Sequence, residues 1–136
     1  MKYLIFSAVL LILITGCATE TPANTQGKDE KSGQHVITNP TAEEVLAGNA
    51  DADIFVANNT VYVNAENIDW VKELNLTLGN IELEIISQSN KGEDFVEGTA
   101  SKLPVGTKIY KPVEKGNIYI AVVDGAEIRY LGWVEG

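Results

Sequence analysis

The sequence predicts a small α+β domain: an antiparallel sheet, open or curled into a partly open barrel, with one packed amphipathic helix and a C-terminal three-stranded meander. Three observations carry that expectation. The chain closes on three runs rich in Ile, Val and Tyr, "TKIYKPV", "NIYIAVV" and "AEIRYLGWV". Two further β-rich runs flank Asn58-Asn59. Between these groups, at "NAENIDWVKEL", the apolar spacing changes from two residues to three and four, the period of a helix.

Taken in chain order, ordered structure is expected to begin at "NPTAEEVLAGNA". Thr41 followed three residues later by Glu44 fits a capping box, Val45 and Leu46 supply apolar contacts, and Gly48 supplies a stop, so a short helix is expected at about 41–47. In "ADIFVANNTVYVNA", Asn58-Asn59 tolerates positive φ and predicts a two-residue hairpin turn. At 66–74, Ile68, Val71 and Leu74 recur at three-residue steps and Trp70 pairs with Leu74, giving a helix of two to three turns capped by Asn64 or Asn67. "NIELEII" alternates, with Ile81, Leu83 and Ile85 on one face and Glu82 and Glu84 on the other, the pattern of a half-buried strand.

The stretch from 87 to 106 reads as a long loop, with Leu103-Pro104-Val105-Gly106 fitting a type I turn. Loops of this length often carry function. The three final runs form the meander, separated by Lys115-Gly116 and by Asp124-Gly125, the second a strong hairpin signal.

The first 16 residues are organised differently. Lys2 precedes Leu4 to Ile14, an 11-residue stretch that is apolar apart from Ser7, and Thr15-Gly16 bring small residues to its end. A basic start, a short hydrophobic run and a small-residue exit describe an export signal. A bilayer-spanning helix needs roughly 20 apolar residues, so a permanent anchor is disfavoured by length. Ile14-Thr15-Gly16-Cys17 resembles the lipobox of bacterial lipoproteins. That resemblance implies diacylglycerol on the Cys17 sulfur, cleavage after Gly16, and residence at the extracytoplasmic face of the cell membrane. Two acyl chains at about 0.8 kcal/mol per buried CH₂ make a stable anchor. Competing roles for this thiol are weak, since the chain has one Cys and one His and a disulfide needs a second thiol.

Residues 17–38 then form the lipidated cysteine and a polar tether, and 39–136 a single extracytoplasmic domain. About 20 tether residues span typically about 25 Å, with a limit of roughly 70 Å. His35, at the end of the tether, reads as a solvated surface group. The segments "ADIFVANNTVYVNAENIDWVKEL" and "LPVGTKIYKPVEKGNIYIAVVDGAEIRYLG" resemble small lipoproteins of spore-forming Gram-positive bacteria, a likeness that implies a location and a fold and brings no active residues with it.

Charge narrows the function classes. Ten Lys+Arg stand against 19 Asp+Glu, a formal net charge of −9, which becomes −10 if Lys2 leaves with the leader. With no basic run, nucleic acid is disfavoured as a partner and anionic lipid headgroups are repelled. No phosphate-cradling glycine motif occurs, and one Cys with one His excludes the Ser-His-Asp and Cys-His nucleophile arrangements. No cofactor is expected. "NADADI" places Asn49, Asp51 and Asp53 at the first, third and fifth positions of a calcium loop, but Ile54 and Thr60 stand where Gly and Glu are needed, so no metal site is expected. Glu93, Asp94 and Glu97 form a second acidic group that reads as solubility.

The expected function is therefore a membrane-anchored, non-enzymatic binding domain that contacts an envelope protein. Tyr119, Leu131 and Trp133 are its candidate contact residues if the second face of the meander stays open, though cover by the 66–74 helix is favoured. A small envelope hydrolase using paired carboxylates, or a small-ligand or calcium sensing domain, are the alternatives.

Overall fold

The computed structural model describes residues 38–114 and 116–135. The expectations for Cys17, the leader, the tether and His35 therefore lie outside the described residues. Within the described part the protein is mostly sheet: eight strands in one sheet, curled as a half-barrel, with two short helices. In chain order these are α1 (Ala42–Gly48), β1 (Ile54–Ala57), β2 (Thr60–Asn64), α2 (Asp69–Lys72), β3 (Leu78–Glu84), β4 (Ser87–Gln88), β5 (Thr99–Ala100), β6 (Lys108–Pro112), β7 (Ile118–Val123) and β8 (Ala126–Gly132). A single 3₁₀ turn, Gly92–Asp94, lies between β4 and β5. The expected α+β class is thus met only roughly, because helix is a minor part of the domain.

Helix α1 forms where its cap directs it. The Thr41 hydroxyl accepts from Glu44 N–H at 3.2 Å, and Thr41 N–H donates to the Glu44 carboxylate at 2.7 Å. Ala42, Val45 and Leu46, spaced one turn apart, bury against Ala52, Ile54 and Val61. The 3₁₀ turn packs close to the other side of α1. A Cβ on Gly92 would fall on the Glu43 backbone, so only glycine permits that approach.

The sheet runs β3-β6-β7-β8-β2-β1-β5-β4. Asn58 and Asn59 take φ of 50° and 57°, and Asp124 and Gly125 take 51° and 79°, the positive values of tight hairpin turns. Both expected hairpins are therefore present, and β6-β7-β8 is the antiparallel meander. Strand β2 joins the two halves by pairing with β8, Tyr62 opposite Gly132. The last strand thereby lies at the middle of the sheet.

The two end strands of the sheet, β3 and β4, are consecutive in the chain and separated only by Ile85-Ile86. Ile85 N–H donates to Thr107 O at 2.8 Å, on the β6 side, and Ile86 N–H donates to Gly98 O at 2.9 Å, on the β5 side. A two-residue link between opposite ends obliges the sheet to curl. Segment 87–106 is accordingly not a simple loop: β4 pairs parallel with β5, and β5 pairs with β1. The Ser101 hydroxyl accepts from Ile54 N–H at 2.8 Å and fastens that segment to β1. The expected turn also moves one residue on, with Thr107 N–H bonding Pro104 O at 3.1 Å and Gly106 at φ 92°.

The inside of the curl holds Phe55, Tyr62, Ile85, Ala100, Leu103, Ile109, Tyr119, Ala121 and Tyr130. Its aromatic rings are ordered: Tyr62 stacks on Tyr119 with centroids 4.4 Å apart and on Phe55 at 5.2 Å, while Tyr130 meets Phe55 edge-on at 5.0 Å. Gly132 lies opposite Tyr62, and a Cβ there would come within 3.1 Å of the ring, so the missing side chain is what lets the tyrosine lie flat.

Two sequence expectations need correction. The helix expected at 66–74 is one turn, 69–72, preceded by Ile68 as its N-cap rather than Asn64 or Asn67. Asn64 instead accepts from Glu66 N–H at 2.9 Å, bending the chain out of β2 before the helix starts. Strand β3 is not cleanly half-buried. Its register against β6 shifts twice, once between Ile81 and Leu83. Leu83 lies opposite Ile109 and Ile81 opposite Tyr110, which point to opposite faces of β6, so the bulge turns Ile81 outward where it is 51% exposed.

Candidate functional site

Facing pairs in the β7–β8 hairpin decide which side chains meet. Tyr119 is opposite Tyr130 and Ile118 opposite Leu131. Tyr119 therefore points into the curl, 4% exposed, while Leu131 and, two residues on, Trp133 belong to the outer face. The structure thus separates the three candidate contact residues: Leu131 and Trp133 are together, and Tyr119 belongs to the core. The signal that separates them is in the sequence. A two-residue turn at Asp124-Gly125 fixes every opposite pair by counting outward from Val123 and Ala126.

On the outer face, α2 covers part of the meander. Val71 is fully buried with Ala65 and Ile118, and Ile68, Leu76 and Leu131 pack around them. Arg129 holds the helix in place: its Nη1 donates to the Val71 carbonyl and, at 3.1 Å, to the Lys72 carbonyl, satisfying groups that a one-turn helix leaves free. The Glu66 carboxylate accepts from Arg129 N–H at 2.9 Å, and Ala65 N–H donates to Arg129 O at 2.8 Å, which prolongs the β2–β8 ladder to the foot of the helix.

Because α2 is so short, it divides the face instead of closing it. A groove of about 330 Å³ lies on one side, walled by Val63, Ile68, Leu131, Trp133 and Val134. A second, of about 360 Å³, lies on the other, walled by Trp70, Leu74, Leu76, Pro112, Ile118 and again Leu131. Trp70 is 53% exposed and Trp133 46%. The sequence reading grouped Trp70 and Leu74 with the buried stripe of a longer helix. One turn has room to bury one stripe, and Val71 with Ile68 fills it, so Trp70 and Leu74 stand at the surface.

The polar groups at this face are mostly engaged. Lys72 Nζ lies 3.8 Å from Asp69 Oδ1. Glu114, in the wall of the second groove, accepts from Thr77 N–H at 2.8 Å and from its hydroxyl at 2.9 Å. The Thr77 backbone N–H, then its own N–H and the Thr77 hydroxyl, hold the Glu114 carboxyl below its ordinary range.

Elsewhere, two carboxylates converge on the β1–β2 turn. Asn58 N–H donates to both Glu97 oxygens at 3.0 and 2.8 Å, and its side-chain amide donates to Glu82 at 2.9 Å and to Tyr119 Oη at 3.0 Å. Both carboxylates are exposed, and their bonds tie the turn to β3 and to the segment before β5. Two of the three calcium-loop-like side chains, Asn49 and Asp53, are also committed. Asn49 Oδ1 accepts from Asp51 N–H at 3.1 Å, and Asp53 accepts from Tyr130 Oη at 3.0 Å and Asn64 Nδ2 at 2.8 Å. Among the described residues no three His, Cys, Asp or Glu side chains gather as a metal-holding group.

Fold and surface together define a mostly-sheet domain with a divided apolar face flanked by two exposed tryptophans. No protein-family model, curated protein or solved structure matches the chain.

Proposed function

We propose that the chain is a lipoprotein anchored through Cys17 at the extracytoplasmic face of the cell membrane, and that its domain is a non-enzymatic module binding an envelope protein through the two grooves beside Leu131. The anchor reading is supported by the hydrophobic run ending in Ile14-Thr15-Gly16-Cys17. The binding reading is carried by one observation: both tryptophans of the chain stand exposed on the same apolar face, one on each side of Leu131. Exposed clustered apolar side chains cost free energy in water and mark contact surfaces, and tryptophan is among the residues that contribute most when covered. The curled sheet and its packed helix serve as a rigid support for that face.

A hydrolase using paired carboxylates is the second reading. The meeting of Glu82 and Glu97 at Asn58 is the observation that favours it. It ranks lower because both acids are spent on holding a turn, and Glu82 alone borders an open recess, with Gly79, Asn80 and Lys111, that Glu97 does not line.

The test is a photocrosslinking amino acid placed at Trp133, and separately at the remote Asp124, in the full chain in living cells. One saturable protein adduct from position 133 and none from 124 is expected. Equal, scattered adducts from both positions would overturn the binding reading. A Cys17→Ser chain released from the membrane fraction is the expected result for the anchor, and unchanged membrane retention would refute it.

A further inference from the structure

We propose that the segment docking on this face is cationic and amphipathic: two apolar side chains, one for each groove, with Lys or Arg beside them. This deepens the binding-module reading and rests on it. Leu131 belongs to both grooves, so a single ligand covering the face meets two separate apolar recesses divided by a ridge. That geometry selects two anchors in place of one.

Charge then selects among the possible occupants. Residues 38–136 carry 16 Asp+Glu against 7 Lys+Arg, a net −9. The acids are also local. Asp69 and Glu73 flank Trp70 and Leu74 in the chain, Glu114 stands in the second groove, and Glu135 follows Val134. Among the described residues at this face, Lys72 is paired with Asp69 and Arg129 is turned onto the α2 carbonyls, so the basic groups there are occupied. A second copy of the chain would bring another −9 to the contact and is repelled, and an anionic bilayer is repelled for the same reason. A cationic partner is attracted by the same field, and its basic residues pair with Glu73 and Glu135, both exposed.

The chain supplies its own reporter, because its two tryptophans are the two that wall the grooves. The experiment titrates the full, lipidated chain, held in zwitterionic nanodiscs, with synthetic 16-residue amphipathic peptides sharing one apolar face. One peptide carries Lys at its polar positions, one Gln and one Glu. The Lys peptide is expected to shift tryptophan emission to shorter wavelength saturably, the Gln peptide more weakly and the Glu peptide not at all. Added salt should weaken the Lys peptide's binding. A Glu73→Gln/Glu135→Gln chain should bind it about 2- to 10-fold more weakly, the range two exposed ion pairs supply, with an unchanged melting temperature. An Asp124→Asn/Glu93→Gln chain, altered at the β7–β8 turn and at the 3₁₀ turn away from both grooves, should bind as the parent does.

Equal emission shifts from all three peptides, no shift from any, or equal weakening by the distant pair would each overturn the proposal. A concentration-dependent shift without peptide would assign the face to a second copy and overturn it too. Failure here is distinct from failure of the parent reading: a crosslinked partner whose attached segment is neutral or acidic overturns the cationic assignment alone, whereas scattered adducts from position 133 remove the binding module itself.

Discussion

Replacing Tyr130 with Phe removes one oxygen from the base of the sheet and should change stability in opposite directions at two pH values. The Tyr130 ring is fully buried, and its hydroxyl donates to Asp53, 3.0 Å from each carboxylate oxygen. A hydrogen bond to a charged acceptor contributes about 1.5–3 kcal/mol. Asp53 is half-buried and keeps the Asn64 amide, so the lower end applies, about 1.5 kcal/mol at pH 7. For a domain of this size that is a fall in melting temperature of roughly 6–12 °C.

The alkaline limb runs the other way. Burial, then the neighbouring Asp53 charge and its hydrogen bond, push the Tyr130 phenol well above its ordinary 10.0, and burial beside Tyr119 does the same to Tyr62. A pKa raised by folding means the contribution is complete below the unfolded value, declines once the pH passes about 10, and is gone above the folded value. Each phenol that ionises only in the unfolded chain removes about 1.4 kcal/mol per pH unit, so the pair removes about 2.7. Tyr130→Phe should halve that slope. Urea denaturation between pH 7 and 12 measures both effects. Equal stability at pH 7, or an alkaline slope identical to the parent's, would show that the Asp53 contact and the buried phenol do not act as described.

Three further outcomes are expected. Gly132→Ala places a methyl 3.1 Å from Tyr62 Cε1 and 3.3 Å from Asn117 O, and should cost about 1–3 kcal/mol in urea denaturation; unchanged stability would mean the ring has room to move. Thr41→Ala removes the α1 cap and should cost about 1 kcal/mol, with amide exchange accelerated first in α1; exchange rising uniformly over the sheet would refute that localisation. Trp70→Ala, at a half-exposed position in the wall of the second groove, should change stability by less than about 1 kcal/mol while abolishing the saturable adduct from position 133. An intact adduct in that variant would place the contact elsewhere.

Legibility in the sequence followed the range of the interaction. Elements set by neighbouring residues were readable: the Thr41–Glu44 box, the Asn58-Asn59 turn, and the strands around Asp124-Gly125. Elements set by distant contacts were not. The alternation of Ile81, Leu83 and Ile85 is real, but a bulge against β6 places Ile81 outside, and nothing local records where a partner strand slips. The polar residues of 87–106 gave no strand pattern, because β4 and β5 exist only where Ile85-Ile86 brings one end of the sheet round to the other. The candidate contact surface falls between these cases. Strand alternation places Leu131 and Trp133 on one face, the register that the hairpin turn determines places Tyr119 on the other, and the exposure of Trp70 is not legible because the end of α2 is held by Arg129, 57 residues away from Lys72.

The position of β8 also sets an order of events. Strands β1 and β2 are complete by residue 64, yet Tyr62 and Val63 have their other neighbours at Gly132 and Leu131, and Val61 O waits for Trp133 N–H. A chain that emerges from its N-terminus can form the β1–β2 hairpin early, but that hairpin must persist as an unfinished fragment, its aromatic face wet, until nearly the whole chain has followed. Such distant pairings make folding slow relative to local hairpin closure. The native sheet therefore waits for its C-terminal strand, and a chain stopped before Ala126 presents β7 and β2 as two edges with no strand between them.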